Sequence, residues 1–301
     1  MEKKNTVRGL IFCVIAAVVW GFAFVAQSIG AEFIGPFLLN GSRFTLGALS
    51  LIPVFLIFEK GATDKGKLKK SLIYGCIAGA LLFTASFMQQ IGIEMTSAGK
   101  SGFITSLYMI LVPIIGIFIG KKTNIRVWIG AVLGVIGLYL ICCGSGKLTF
   151  TKGDILLIGC AVFFALHILV IDKAGEDVYT LRFTAIQFAV CAVINWIFTL
   201  ILEDISLSGM IAAAIPIAYC GFMSVGVAYT CQVLGLKYSD PTSASLIFAT
   251  ESLFSAIGGA IILHERMTGI AYIGCALIFC GIILTQIDFA AIKKKHTPGA
   301  K

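Results

Sequence analysis

Residues 8–30 read RGLIFCVIAAVVWGFAFVAQSIG, and residues 152–172 read KGDILLIGCAVFFALHILVID. Each run has roughly the length a helix needs to cross the hydrocarbon core of a bilayer, about 20 mostly apolar residues. Neither alternates apolar and polar residues, as a membrane-spanning β-strand does, so both read as helices. Set 144 residues apart, Gly9, Ala17 and Val18 fall on Gly153, Ala161 and Val162. A membrane helix that recurs in the second half of the chain decides the fold.

Working outward with the same yardstick gives ten spans: 8–30, 36–58, 71–92, 98–120, 126–144, 152–172, 182–202, 208–235, 241–263 and 269–286. The 144-residue register also pairs Phe44 and Ala48 with Phe188 and Ala192. It slips to 143 where Gln89, Gly92 and Ile104 meet Gln232, Gly235 and Ile247. It returns to 144 where Gly130 and Gly137 meet Gly274 and Gly281. The chain thus divides into two units, 8–144 and 152–287, of five helices each. Five is odd, so the second unit enters the membrane from the opposite side. The expected fold class is an all-α polytopic membrane protein with ten transmembrane helices in an inverted 5+5 repeat. Secondary transporters are built this way, with a site near the bilayer midplane.

Composition agrees. Of 301 residues, 58% are hydrophobic and 13% charged, and the mean hydropathy is +0.99. Soluble domains are about a quarter charged, so this chain is neither soluble nor disordered. The net charge of +8 does not indicate a nucleic-acid partner, because the basic residues follow topology. Eighteen of the 23 Lys and Arg, Lys65, Lys67, Lys69, Lys70, Lys121 and Lys122 among them, fall on the side of the N-terminus. Only Lys100, Lys147, Lys152 and Arg266 fall on the other. Positive loops face the cytoplasm, which puts both termini there in a plasma-membrane protein. The first apolar run is too long for a signal peptide and is expected to stay as a span. The ten cysteines lie in or at the ends of spans and read as packing residues, with Cys142–Cys143 the nearest approach to a redox motif. Gly75-x-x-x-Gly79, Gly116-x-x-x-Gly120 and Gly130-x-x-x-Gly134 let helices approach closely.

Several motifs resemble the EamA-like branch of the drug/metabolite transporter superfamily. They include Trp20-Gly21-Phe22-Ala23-Phe24-Val25-Ala26-Gln27, Pro36-Phe37 with Arg43-Phe44, and Gln89-Gln90-Ile91-Gly92 leading to Thr96-Ser97-Ala98-Gly99-Lys100. Phe103 to Tyr108 with Val112-Pro113 also fit, as do Ala165-Leu166-His167-Ile168, Gln187-Phe188, Gln232, Glu251 and His264-Glu265-Arg266. The resemblance runs from about residue 8 to 286 and implies ten helices, an inverted repeat and movement of small metabolites. Ser252, where that family usually has proline, and Lys121-Lys122, where it often has glycine–glutamate, depart from the pattern and weaken any inference about substrate.

An ionisable group inside the bilayer is expensive and marks a functional candidate. Glu251 sits mid-span and could exchange a proton for substrate; the alternative is a neutral acid bonded to a facing helix. Arg43 lies about a third of the way into the second span. It could bind an anionic substrate group or Glu251, or it could snorkel to the outer interface. Its repeat mate is Gln187. Tyr108 corresponds to Glu251, and Gln89 to Gln232, so a two-fold set of polar groups could face a common centre; Gln90 and Asn195 are weaker members. His167, the one histidine within a span, could move protons or could be packed and satisfied. Trp20 and Phe24 could stack on a ring or cation, or simply pack. Lys100 reads as a loop charge at a helix start.

The expected activity is secondary transport, in the export direction, of a small metabolite such as an amino acid or drug-like compound. Alternating access, coupled to protons, is the expected mechanism. The alternatives are an uncoupled facilitator or a lipid-moving protein and, from another class, an intramembrane enzyme. The enzyme reading lacks motifs: His264-Glu265-Arg266-Met267-Thr268 has no second histidine, and no phosphate-binding loop occurs. No cofactor or metal is expected. The expected partners are a small-molecule substrate and the lipid bilayer, with a homodimer as an open alternative.

Overall fold

The computed structural model describes residues 6–121, 124–142, 151–264 and 268–286. Lys122, Cys143, Lys147 and Glu265–Arg266 lie outside these residues, as does the side chain of Cys142. The first half comprises α1 (Thr6–Ala31), α2 (Pro36–Phe58), α3 (Lys65–Glu94), α4 (Ala98–Thr105), α5 (Tyr108–Phe118) and α6 (Ile125–Cys142). The second comprises α7 (Lys152–Ala174), α8 (Thr180–Leu202), α9 (Leu207–Ala212), α10 (Ala214–Ala218), a π-helical stretch Tyr219–Tyr229, α11 (Thr230–Tyr238), α12 (Pro241–Phe248), α13 (Glu251–Ile262) and α14 (Gly269–Gln286). Large side chains such as Phe58, Phe118, Leu200 and Ile215 stay exposed, as lipid-facing surfaces require. Helices α6 and α14 have 18 residues each. At 1.5 Å per residue they are about 27 Å long, close to the thickness of the hydrocarbon core.

Turn chemistry sets the helix starts. Pro36 opens α2, Asp64 accepts from the amides of Gly66 and Lys67, and Thr151 and Asp154 form a reciprocal capping box. Ser97 accepts from the Lys100 amide, and Asp240 from the Ser243 amide, at positions 143 residues apart. The repeat therefore extends to the caps.

Packing obeys the same two-fold relation. Helix α2 lies against α8, with the rings of Phe44 and its mate Phe188 6.3 Å apart. Helix α6 lies against α14 through glycines. A Cβ on Gly137 would stand 2.5 Å from the Gly274 carbonyl oxygen, and one on Gly281 2.8 Å from that of Gly130. Those four residues are two repeat pairs, so the pseudo-two-fold axis passes between these helices as it does between α2 and α8. Contacts of α3 with α7 and α8 are mirrored by contacts of α11 with α1 and of the π stretch with α2. In lipid such close backbone approach, rather than water exclusion, holds helices together.

The α2–α8 pair carries a second mark of the axis. At the end of α2, Glu59 accepts hydrogen bonds from the amides of Leu181 and Arg182, the first turn of α8, at 2.8 and 3.1 Å. At the end of α8, Glu203 accepts from the amides of Phe37 and Leu38, the first turn of α2, at 2.8 and 2.7 Å. Each carboxylate satisfies donors that a helix start leaves unpaired.

Three expected spans are not continuous helices. The fourth breaks after Thr105 and restarts at Tyr108; the ninth breaks after Phe248 and restarts at Glu251. In both breaks the amides bond three residues back: Leu107, Met109 and Ile110 in the first, Thr250, Ser252 and Leu253 in the second. These two triplets are also 143 residues apart. Hydroxyls at the breaks bond back to main-chain carbonyls, Ser106 to Gly102, Thr250 to Ile247 and Ser252 to Ala249, which bends a helix. The eighth span is interrupted at Ala213 and wound as a π-helix from Tyr219.

Helices α1 and α2 meet at one face of the bundle, and α7 and α8 at the other. At the α7–α8 face lie the ion pairs Lys70–Asp177, at 2.7 Å, and Lys121–Asp172, together with Arg182 against Glu59. At the α1–α2 face Lys100 pairs with the buried Asp154 at 2.8 Å.

Candidate functional site

The two helix breaks meet in the middle of the bundle. Tyr108 and Glu251 each open the second piece of a broken span, and the Tyr108 hydroxyl donates to Glu251 Oε1 at 2.9 Å. Both side chains are buried, at 3% and 4% exposure. The glutamate reaches this point because α13 packs against Gly21 of α1. A Cβ on Gly21 would lie 2.2 Å from Phe254 Cβ and 2.8 Å from the Glu251 carbonyl oxygen. Only a residue without a side chain allows that approach.

Around this pair is a cavity with about 390 Å³ of empty space, part of it open to the outside. Trp20, Arg43, Gln89, Tyr108, Gln232 and Glu251 all line it, six of the eight residues expected from sequence. Arg43 is only 2% exposed, so it does not snorkel. Nor is it paired with Glu251, whose partner is Tyr108. Its Nε donates to Asn40 Oδ1 at 2.8 Å, its guanidinium lies 5.0 Å from the Phe44 ring centre, and its Nη2 has no hydrogen-bond partner. Trp20 Nε1 donates to the Ser224 carbonyl at 3.3 Å, within the π-helical stretch. Such stretches occur often at functional sites, where they alter the backbone bonding pattern. The Trp20 ring stands edge-on to Tyr229 at 4.8 Å.

Gln187 and His167 are not in the cavity wall. They bond each other, His167 Nε2 to Gln187 Oε1 at 2.9 Å, and both are fully buried. Gln90 contacts the Gln27 carbonyl and Asn195 the Cys191 carbonyl, so these two serve packing between and within helices. Lys100 is held by Asp154, away from the cavity.

Sequence reasoning did not single out Gln27, Phe164, Ser224 or Tyr229, all of which line the cavity. Gln27, at 2% exposure, donates to the Ala23 carbonyl and leaves its Oε1 without a partner. Gln232 Oε1 is likewise unpartnered. A signal for Phe164 was present, since it stands 144 residues after Trp20. The cavity therefore offers one permanent cation with a free donor, one acid, two amides with free acceptors and an aromatic wall. That set can hold a small polar molecule carrying both a donor and an acceptor.

The sequence matches the EamA-like transporter family twice, over residues 7–143 and 151–287. An uncharacterized transporter of Archaeoglobus fulgidus is 26% identical over 91% of this chain and 84% of its own length. The Bacillus subtilis uncharacterized transporters YoaV and YetK are 23% and 26% identical, covering 95% and 99% of this chain and 99% and 90% of theirs. A solved crystal structure superposes with a TM-score of 0.77 at 18% identity, over 97% of this chain and 100% of the other, which shows a shared fold.

Proposed function

Because the chain belongs to the EamA-like transporter family, a family of multi-pass membrane transporters, we propose that it is a secondary transporter of a small metabolite such as an amino acid or drug-like compound. It works by alternating access, exports its substrate and is coupled to protons. The units 8–144 and 152–287 rock against each other, and both termini lie on the cytoplasmic side of the plasma membrane. The observation that carries this reading is the Tyr108–Glu251 pair, set at matching breaks in two spans and sharing one cavity with Arg43. Discontinuous helices with substrate and ion sites at the break are a recurring device of such transporters. In this reading Arg43 receives an anionic group of the substrate, Gln89 and Gln232 its polar atoms, and Trp20 its apolar body. Glu251 binds and releases the proton.

A thermal-shift screen against amino acids, nucleobases, amines and sugars identifies the ligand, since binding to the native state raises stability. Proteoliposomes then test the coupling. Glu251→Gln is expected to abolish uptake driven by a pH gradient while keeping ligand exchange across the membrane. Full gradient-driven uptake by that variant overturns the proton role and favours an uncoupled facilitator.

A further inference from the structure

The cavity wall is itself organised by the repeat. Trp20 and Phe164, Phe24 and Ile168, Gln89 and Gln232, and Tyr108 and Glu251 are repeat mates, and both members of each pair line it. Five lining residues break the symmetry: Ser224 and Tyr229, whose repeat-equivalent positions Leu81 and Ser86 do not line the cavity, and three residues of the first half. Ala23, Gln27 and Arg43 line the cavity, but their mates His167, Ile171 and Gln187 do not. These last three lie in the half of their spans nearer the α1–α2 face. Their mates occupy the opposite half and are packed.

His167 and Gln187 are also incompletely satisfied, as the packed Gln90 and Asn195 are. Each is 0% exposed and uses one polar atom on the other, leaving His167 Nδ1 and Gln187 Nε2 with no hydrogen-bond partner. Buried polar atoms are seldom left so, and each calls for an explanation. They lie one layer behind the wall: Ile168 and Phe164 on the same helix line the cavity, and Tyr229, which lines it too, stands edge-on to the His167 ring at 6.1 Å.

We infer that His167 and Gln187 are the binding groups of the oppositely facing conformation, where they replace Ala23 and Arg43 in the cavity wall. In an inverted repeat the two conformations differ by an exchange of roles between the halves. The half that now packs opens, and the half that now opens packs. Water or substrate then meets the two free nitrogens, while Arg43 takes the enclosed place Gln187 has now. The site consequently presents a permanent cation when it faces the α1–α2 side, and a neutral amide beside an imidazole when it faces the α7–α8 side. An anionic substrate group is held by charge on one side only. This inference rests on the transport reading above.

Sided labelling tests it. Ala23→Cys, His167→Cys and Gln187→Cys proteins are exposed to a membrane-impermeant maleimide in right-side-out cells and in inverted vesicles, against the wild-type cysteine background. Ala23→Cys is expected to react only from the α1–α2 side. His167→Cys and Gln187→Cys are expected to react only from the α7–α8 side. They should do so about tenfold or more slowly, because a minor conformation is populated at about 10% or less. Gln187→Cys keeps the test available should His167→Cys fail to fold. Labelling of His167→Cys from the α1–α2 side as fast as Ala23→Cys overturns the inference. So does the absence of labelling in both the His167→Cys and the Gln187→Cys proteins while wild-type proteoliposomes take up the compound that the thermal-shift screen identifies. Absence of both labelling and uptake overturns the transport reading with it.

Discussion

Arg43 has two duties that no other side chain in the cavity could combine. Its Nε is committed to Asn40, its plane faces Phe44, and its Nη2 is left over. A planar fork can be anchored on one nitrogen and present another, whereas an ammonium on a flexible stem cannot hold both geometries. Arg43→Lys, which keeps the charge, is therefore expected to raise the KM for a carboxylate-bearing substrate about tenfold, equal to about 1.4 kcal/mol. Concentration-dependent uptake by proteoliposomes checks this, and an unchanged KM refutes the free Nη2 as a binding group. Charge inside a span was enough to point to Arg43 and Glu251. Their separation was not legible, because the partners that hold them apart, Asn40 and Tyr108, are ordinary polar residues whose meeting depends on the packed helices. His167 illustrates the same limit: one histidine among apolar neighbours looks alike whether it faces a cavity or a glutamine.

At the scale of helices, Glu59 and Glu203 each cap the first turn of the other's helix, so α2 and α8 are tied at both ends. Loss of a capping side chain costs about 0.5–2 kcal/mol. Glu59→Ala and Glu203→Ala should each lower the thermal midpoint accordingly. The sites sit at opposite faces, so the double variant should be additive within about 0.5 kcal/mol. A marked shortfall in thermal unfolding of the purified double variant contradicts independent caps. Span boundaries were readable from apolar length: residues 36–58 coincide with α2 and residues 269–286 with α14. The breaks in the fourth and ninth spans were not. Residues 105–108 and 248–251 lie in segments long and apolar enough to cross a membrane, and the hydroxyls that bond back to the main chain there, Ser106 and Thr250, are matched by Thr45, Thr84 and Thr184 in unbroken helices, so they give no distinguishing signal. The caps could have been found, since Glu59 and Glu203 stand 144 residues apart; as loop acids they gave no reason to be compared.

For the whole molecule, the uneven placement of ion pairs matters most. The α7–α8 face is held by Lys70–Asp177, Lys121–Asp172 and Arg182 beside Glu59, and none of these has a counterpart at the repeat-equivalent positions. Partly exposed pairs contribute about 1 kcal/mol or less each. Asp172→Asn should therefore increase labelling of His167→Cys from that face by a factor of up to about five. No increase in the labelling rate would show that this pair does not help to keep the face shut. The glutamates that join α2 to α8 have a consequence for assembly as well. Each half of the chain owns one capping carboxylate and one helix start that only the other half can cap, and each glycine surface on α6 or α14 needs its mate. Neither half is a finished protein. Severed between residues 143 and 151 and produced together, the halves are expected to find each other and restore uptake, whereas either half produced alone should be degraded.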